Sequence, residues 1–216
     1  SIPMILINTV QEYMDMCRAF GLDVTEPEAY VRSKVRFILD VLYDGTGLIR
    51  EHISDDASYV RLLNRHITPG HTLEDAWFWL EFLQEYGGLE EDLPRICQIV
   101  QRTFLLGWDE SYGGLLRFVD REGGKPQGTR IGTPYEDLIV DTWDMKLWWP
   151  HSEMLYVFTY LYHLTGDEEF EQMYQKSAQY VFSTFPNQAL GEWIQIRQRD
   201  GSPQDKLVAL PVKDPF

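Results

Sequence analysis

Basic residues are scarce in this chain: 19 lysines and arginines stand against 34 aspartates and glutamates, a formal net charge of −15 over 216 residues. Such a surface repels phosphate backbones and anionic headgroups, which argues against nucleic acid or a membrane surface as a partner. Cysteine is nearly absent. Cys17 and Cys97 both fall inside apolar helical patterns, which reads as core packing in a reducing compartment rather than as a disulfide. No apolar run approaches the roughly 18 residues of a membrane-spanning helix, and no charged segment followed by an apolar one opens the chain. These absences make a cytoplasmic protein the expectation. A glycine-rich phosphate loop, a Cys-x-x-Cys pair and a Gly-x-Ser-x-Gly elbow are also missing, so no cofactor is assigned.

Apolar and aromatic residues are plentiful. Hydrophobic residues make up 44% of the chain, with 7 Trp, 12 Tyr and 11 Phe, enough to fill a core and to exclude disorder. Their spacing predicts six helices of two kinds. Stretches 3–20, 71–86 and 150–165 are apolar nearly all round, which predicts helices enclosed by protein. Stretches 27–42, 91–106 and 168–184 carry a single apolar stripe, which predicts surface helices. The two kinds alternate strictly.

The connections alternate as well. Links from an enclosed helix to a surface helix are short, at Gly87-Gly88-Leu89 and Gly166-Asp167. Links in the other direction are long, and each holds a β-like segment, at 47–52, 114–120 and 191–196. Their leading glycines lie 67 and then 77 residues apart. A unit repeating at that length is architectural. The pattern predicts an all-α (α/α) toroid, an inner ring and an outer ring of helices with short β-hairpins in the long loops at one end. It forms a single domain over 1–216, incomplete at both ends, because a closed ring needs more than three pairs.

Every long loop leads into the start of an inner helix, so residues at those starts converge on one mouth of the ring. His71 opens one such helix, with Glu74 three positions later on the same face. A helix N-terminus disfavours a protonated imidazole and stabilises a developing anion, a setting suited to proton abstraction beside a carbonyl. The alternative is a histidine bonded to its own loop. His-x-x-Glu supplies only two ligands, so no metal is assigned. In the stretch 144–153, Lys146, His151 and Glu153 flank Trp148 and Trp149. Glu153 has capping as its plain role, and the tryptophans either plug the core or stack on a sugar's C–H faces. Trp193 is a further candidate wall. Asp109 and Glu110 read as loop carboxylates, and His52, His66 and His163 as loop or surface residues.

Four segments, Pro69-Gly-His-Thr-Leu-Glu-Asp-Ala-Trp77, Gly107-Trp-Asp-Glu-Ser-Tyr-Gly-Gly114, Lys146-Leu-Trp-Trp-Pro-His-Ser-Glu153 and Gly191-Glu-Trp193, occur in the order and spacing of the N-acylglucosamine 2-epimerase family. The chain resembles the later half of that family's length. The resemblance implies an (α/α)6 barrel, a homodimer, and interconversion of N-acyl-D-glucosamine and N-acyl-D-mannosamine by deprotonation and reprotonation at C2. His71 matches one of two catalytic histidines and Glu153 a carboxylate needed for activity. Glu74, Trp149 and Trp193 match substrate contacts, His151 belongs to the motif of the N-acylglucosamine branch, and Asn8 matches an inner-helix pocket position. The second histidine would follow a Pro-Phe dipeptide, and the sequence given stops at Pro215-Phe216. An arginine of the family's N-terminal half is also absent from it. An aldose–ketose isomerase is the nearest alternative, followed by a glycoside hydrolase using Glu74 and Glu153 and a non-catalytic binding protein.

Overall fold

The structure, a computed structural model, describes residues 2–54, 58–189 and 191–204. Three helices form an inner row: α1 (Ile2–Ala19), α4 (Pro69–Tyr86) and α7 (Trp148–Thr165). Each is followed by an outer partner. These are α2 (Thr25–Arg36), which runs on as a π-helical segment (Phe37–Leu42), α5 (Leu89–Gly107) and α8 (Glu168–Thr184). The inner helices run parallel. Gln11 donates to the carbonyl of Phe78 67 residues on, and Trp77 reaches Glu153 76 residues on. These offsets are close to the 67 and 77 of the repeat in the sequence.

Local chemistry explains where the helices end. Gly87 and Gly88 have φ of 87° and 109°, so the chain reverses between α4 and α5 through backbone conformations that side chains resist. Gly166 closes α7 in the left-handed region, and Asp167 caps α8 by accepting from the Glu169 N–H. Acidic first turns, Glu90-Glu91-Asp92 in α5 and Glu168-Glu169 in α8, complement the helix dipoles.

Each outer helix runs into the same small hairpin. Tyr43 bridges Ile49 and Trp108 bridges Leu115, while β4 (Pro186–Asn187) pairs with β5 (Glu192–Trp193). Directly after the first bridging position stands Asp44, Asp109 or Asn187, whose side-chain oxygen accepts from the backbone N–H two residues on. Such Asx turns fix the reversal. Two further strand pairs staple the second and third long loops to the start of the preceding inner helix. β1 (His66–Ile67), just before α4, pairs with β2 (Val119–Asp120), and β3 (Lys146–Leu147), just before α7, pairs with β6 (Ile196–Arg197).

The all-α class and the hairpins agree with the expectation, and three points differ. Enclosure holds for α4 alone. It lies between α1 and α7 with α5 behind it, and two thirds of its residues, 12 of 18, are buried. α1 and α7 meet α4 on one side only, which leaves Ile2, Ile5, Tyr13 and Met16 exposed on α1 and Tyr162 exposed on α7. The loop before α7 also contains a helix, α6 (Pro134–Thr142), set by a capping box between Thr133 and Glu136, and a short α3 (Leu62–Arg65) precedes β1. His66 is no surface residue: it is buried, with Nδ1 on the carbonyl of Leu63 and its ring edge-on to Tyr135.

Candidate active site

The starts of α4 and α7 touch. A Cβ on Gly70 would lie 2.8 Å from Pro150 and 2.9 Å from the Trp149 ring, so only glycine lets the two helix starts approach this closely. The approach stacks His71 on Trp149, with ring centroids 5.7 Å apart and planes inclined at 26°. His71 is about a quarter exposed, 26%, and its Nδ1 lies 3.0 Å from Oε1 of Glu51. A carboxylate only accepts, so Nδ1 carries the hydrogen and the Nε2 lone pair is left for chemistry. Burial alone would raise the Glu51 carboxyl; the charge that the His71 ring carries when protonated, and its hydrogen bond, outweigh it and hold the group at about 2.

Farther along α4, Trp77 donates from Nε1 to Oε2 of Glu153 at 2.6 Å. The Trp77 ring is also edge-on to Tyr156 at 5.1 Å. Burial raises the Glu153 carboxyl above its ordinary range, and the Trp77 hydrogen bond offsets part of that. His71, Trp149, Trp77 and Glu153 therefore line facing sides of two adjacent parallel helices. The base and the carboxyl that burial raises thus stand on adjoining helices, His71 stacked on Trp149 of α7 and Glu153 bonded to Trp77 of α4. That set can remove a proton from carbon and hydrogen-bond an oxygen that gains charge. Among the described residues no group of three His, Cys, Asp or Glu side chains is placed to hold a metal ion.

The other anticipated residues fall elsewhere. Glu74 is buried on α4, one turn from His71. Asn8 lines a cavity of about 610 Å³ between the inner helices, with Gln11 and Glu12 of α1, Glu81 and Gln84 of α4 and Tyr160 of α7. His151 is turned away from the opening. It is 0% exposed; Nε2 accepts from the Leu115 N–H at 2.8 Å and Nδ1 donates to the Leu147 carbonyl at 2.6 Å. Burial pushes its pKa down to about 3, so the ring is neutral and serves to tie the 108–115 hairpin to the start of α7. Trp193 stacks on Phe185 at 6.2 Å and meets Trp148 edge-on at 6.4 Å, on the α8 side of α7. The tryptophan doublet is thus split: Trp149 faces His71 and Trp148 faces the core.

Lys146 is a structural residue as well. Its buried ammonium donates to Oδ2 of Asp109 at 3.1 Å and to the carbonyls of Gly113 and Gly114. Asp109 also receives two hydrogen bonds from Arg199. Burial would raise Asp109, but Arg199 and Lys146 together hold it at about 2. Pattern reading missed Glu51, Trp77 and Arg199 as partners of these groups. The one available signal was the place of Trp77 on the inner helix that His71 opens.

Helical hairpins whose inner helices start around one opening define the (α/α) barrel class. D-mannose isomerase superposes with a TM-score of 0.75 at 17% identity, over 94% of this chain and 49% of that one. Cellobiose 2-epimerase from Bacillus thermoamylovorans B4167 gives 0.71 at 17% identity, over 97% and 49%. Within that class the chain belongs to the N-acylglucosamine 2-epimerase family, whose profile matches residues 12–211. N-acylglucosamine 2-epimerase of Bos taurus is 31% identical over 99% of this chain and 46% of its own length. The Mus musculus protein of that name is 34% identical over 82% and 38%. The chain spans about half the length, or less, of the curated relatives it matches. No described helix is long and apolar enough to cross a membrane.

Proposed function

We propose that this chain carries one half of the proton-transfer machinery of a sugar 2-epimerase that interconverts N-acyl-D-glucosamine and N-acyl-D-mannosamine. The observation that carries this reading is the meeting of the starts of α4 and α7, where His71, its Nδ1 on Glu51, stacks on Trp149 four residues before Glu153. In the ring-opened sugar the C1 carbonyl acidifies the C2–H bond. His71 takes that proton, and the bonding electrons move into a C1–C2 enolate whose charge rests on the C1 oxygen, with the acylamino group retained on C2. Glu153 hydrogen-bonds a sugar oxygen and Trp149 stacks on a C–H face; contacts from Glu74, and from Asn8 and Trp193, which stand away from the His71–Trp149 stack, enter the proposal on family resemblance alone. His151 serves the site by fixing the start of α7. Return of a proton to the opposite face of C2 completes the reaction. Family resemblance assigns that step to a histidine after a Pro-Phe dipeptide; Pro215-Phe216 lies outside the described residues.

The same reading makes the protein cytoplasmic, which two free thiols at Cys17 and Cys97 support. It also makes it a homodimer, on family membership. The test is incubation of the intact protein with N-acetylglucosamine in deuterated water, followed by NMR. Deuterium at C2 of an N-acetylmannosamine product is the expected result. A ketose formed from a 2-hydroxy aldose such as mannose in a parallel incubation, with N-acetylglucosamine unchanged, would assign an isomerase instead, and no exchange at C2 of any candidate aldose would reject both.

A further inference from the structure

We propose that Glu51 is a positioning residue: it fixes His71 in the Nδ1–H form and aims Nε2 into the opening. The consequence of this for turnover, and that alone, rests on the functional reading above.

The geometry assigns the role. Glu51 comes from 20 residues upstream, on the loop that leaves the first outer helix. Its backbone is fixed just before it, where the Arg50 N–H donates to the Leu42 carbonyl at 3.0 Å and the Arg50 guanidinium to the Val41 carbonyl at 3.0 Å. Leu48 and Ile49 are buried alongside. The carboxylate is therefore delivered by an anchored segment. It is itself mostly buried, with 11% of its side chain exposed, and ion burial is costly without a partner. His71 supplies that partner at 3.0 Å, while Trp149 stacks on the ring. One contact sets the tautomer and the other the ring plane, so the direction of Nε2 is determined. A histidine held only by its helix start would sample both tautomers, and the Nε2–H form has no lone pair directed at a substrate carbon. A carboxylate behind an imidazole also stabilises the imidazolium formed when a proton is taken up.

Two readouts test this. The first is the ring ¹⁵N spectrum of His71 in the intact, ligand-free protein at mildly alkaline pH, which involves no turnover. The expected pattern is a protonated Nδ1 and a bare Nε2; a protonated Nε2 or an even mixture of tautomers would overturn the proposal. The second is Glu51→Gln, which keeps the shape and removes the charge. Exchange at C2 should fall in kcat by about 10–100-fold with KM changed less than about threefold, as for other residues that orient a catalytic group. Equal kcat in a folded Glu51→Gln protein would also overturn it. If the wild-type protein exchanges no sugar, the functional reading fails, and the ¹⁵N pattern still decides the tautomer.

Discussion

His71 and His151 both stand in the first turn of an inner helix, yet their surroundings are opposite. His71 is partly open, bonded to a carboxylate through one nitrogen and stacked on one tryptophan. His151 is sealed, with both nitrogens committed to backbone groups and its ring against Tyr180 and Phe185. The start of α4 is thus built to leave a lone pair available, and the start of α7 to consume one. Position in the repeat brings a histidine to the mouth; the direction it faces around the helix decides whether it does chemistry or joins loop to helix.

Substitutions at the two histidines should separate these roles most sharply. His71→Asn is expected to lower C2 exchange by about 10³-fold, the scale of a lost general base, with a denaturation midpoint close to that of the wild type. A rate within tenfold of wild type would remove His71 from the mechanism. His151→Ala should do the reverse. It opens a cavity and strands the Leu115 N–H and the Leu147 carbonyl, costing about 3–4 kcal/mol by chemical denaturation. The molecules that remain folded should keep exchange within about tenfold, since the ring does not reach the opening.

Asp109 sharpens the structural side of the comparison. Asp109→Asn removes the counterion of a fully buried Lys146 and should cost about 3 kcal/mol at neutral pH. Its carboxyl is held at about 2 in the fold, below the usual value of about 3.9 in an unfolded chain. The stabilisation is therefore fully present above pH of about 4 and is lost as pH falls towards 2. Denaturation curves of wild type and variant should converge over that window; a constant gap down to pH of about 2 would contradict the assignment.

The smallest effect is expected at Gly70, where the two helix starts meet. Gly70→Ala inserts a methyl group against Pro150 and Trp149 and should cost about 1–2 kcal/mol from overpacking. Because the same methyl displaces Trp149 from His71, exchange should fall more than stability alone accounts for. Unchanged kinetics would show that the stack is incidental.

Much of this arrangement can be read from period and punctuation. The alternation of enclosed and striped stretches gives the inner and outer helices, and glycine and Asx positions give the short turns and hairpins. His71, Trp149 and Glu153 follow from their places at inner-helix starts. Periodicity states which residues share a face, but it does not say which face looks into the opening. Successive residues on a helix point about 100° apart, so Trp148 and Trp149 diverge, and His151 turns to the core while Glu153 does not. Glu51 sits on a loop with no period at all, and only the folded chain brings it to His71. The exposed sides of α1 and α7 escape pattern reading for a related reason: apolar residues all round a helix register a capacity for burial, whereas enclosure depends on the neighbours present. The capping box at Thr133 and Glu136 was legible, and it marks a helix that hydrophobic spacing alone did not reveal.

The central claim is that the two helix starts divide ligand chemistry from structure, and a titration of histidine-labelled intact protein with N-acetylmannosamine tests it most directly. The ring signals of His71 should move in proportion to ligand bound, while those of His151 stay fixed. Movement of His151 with His71 unmoved would contradict the account.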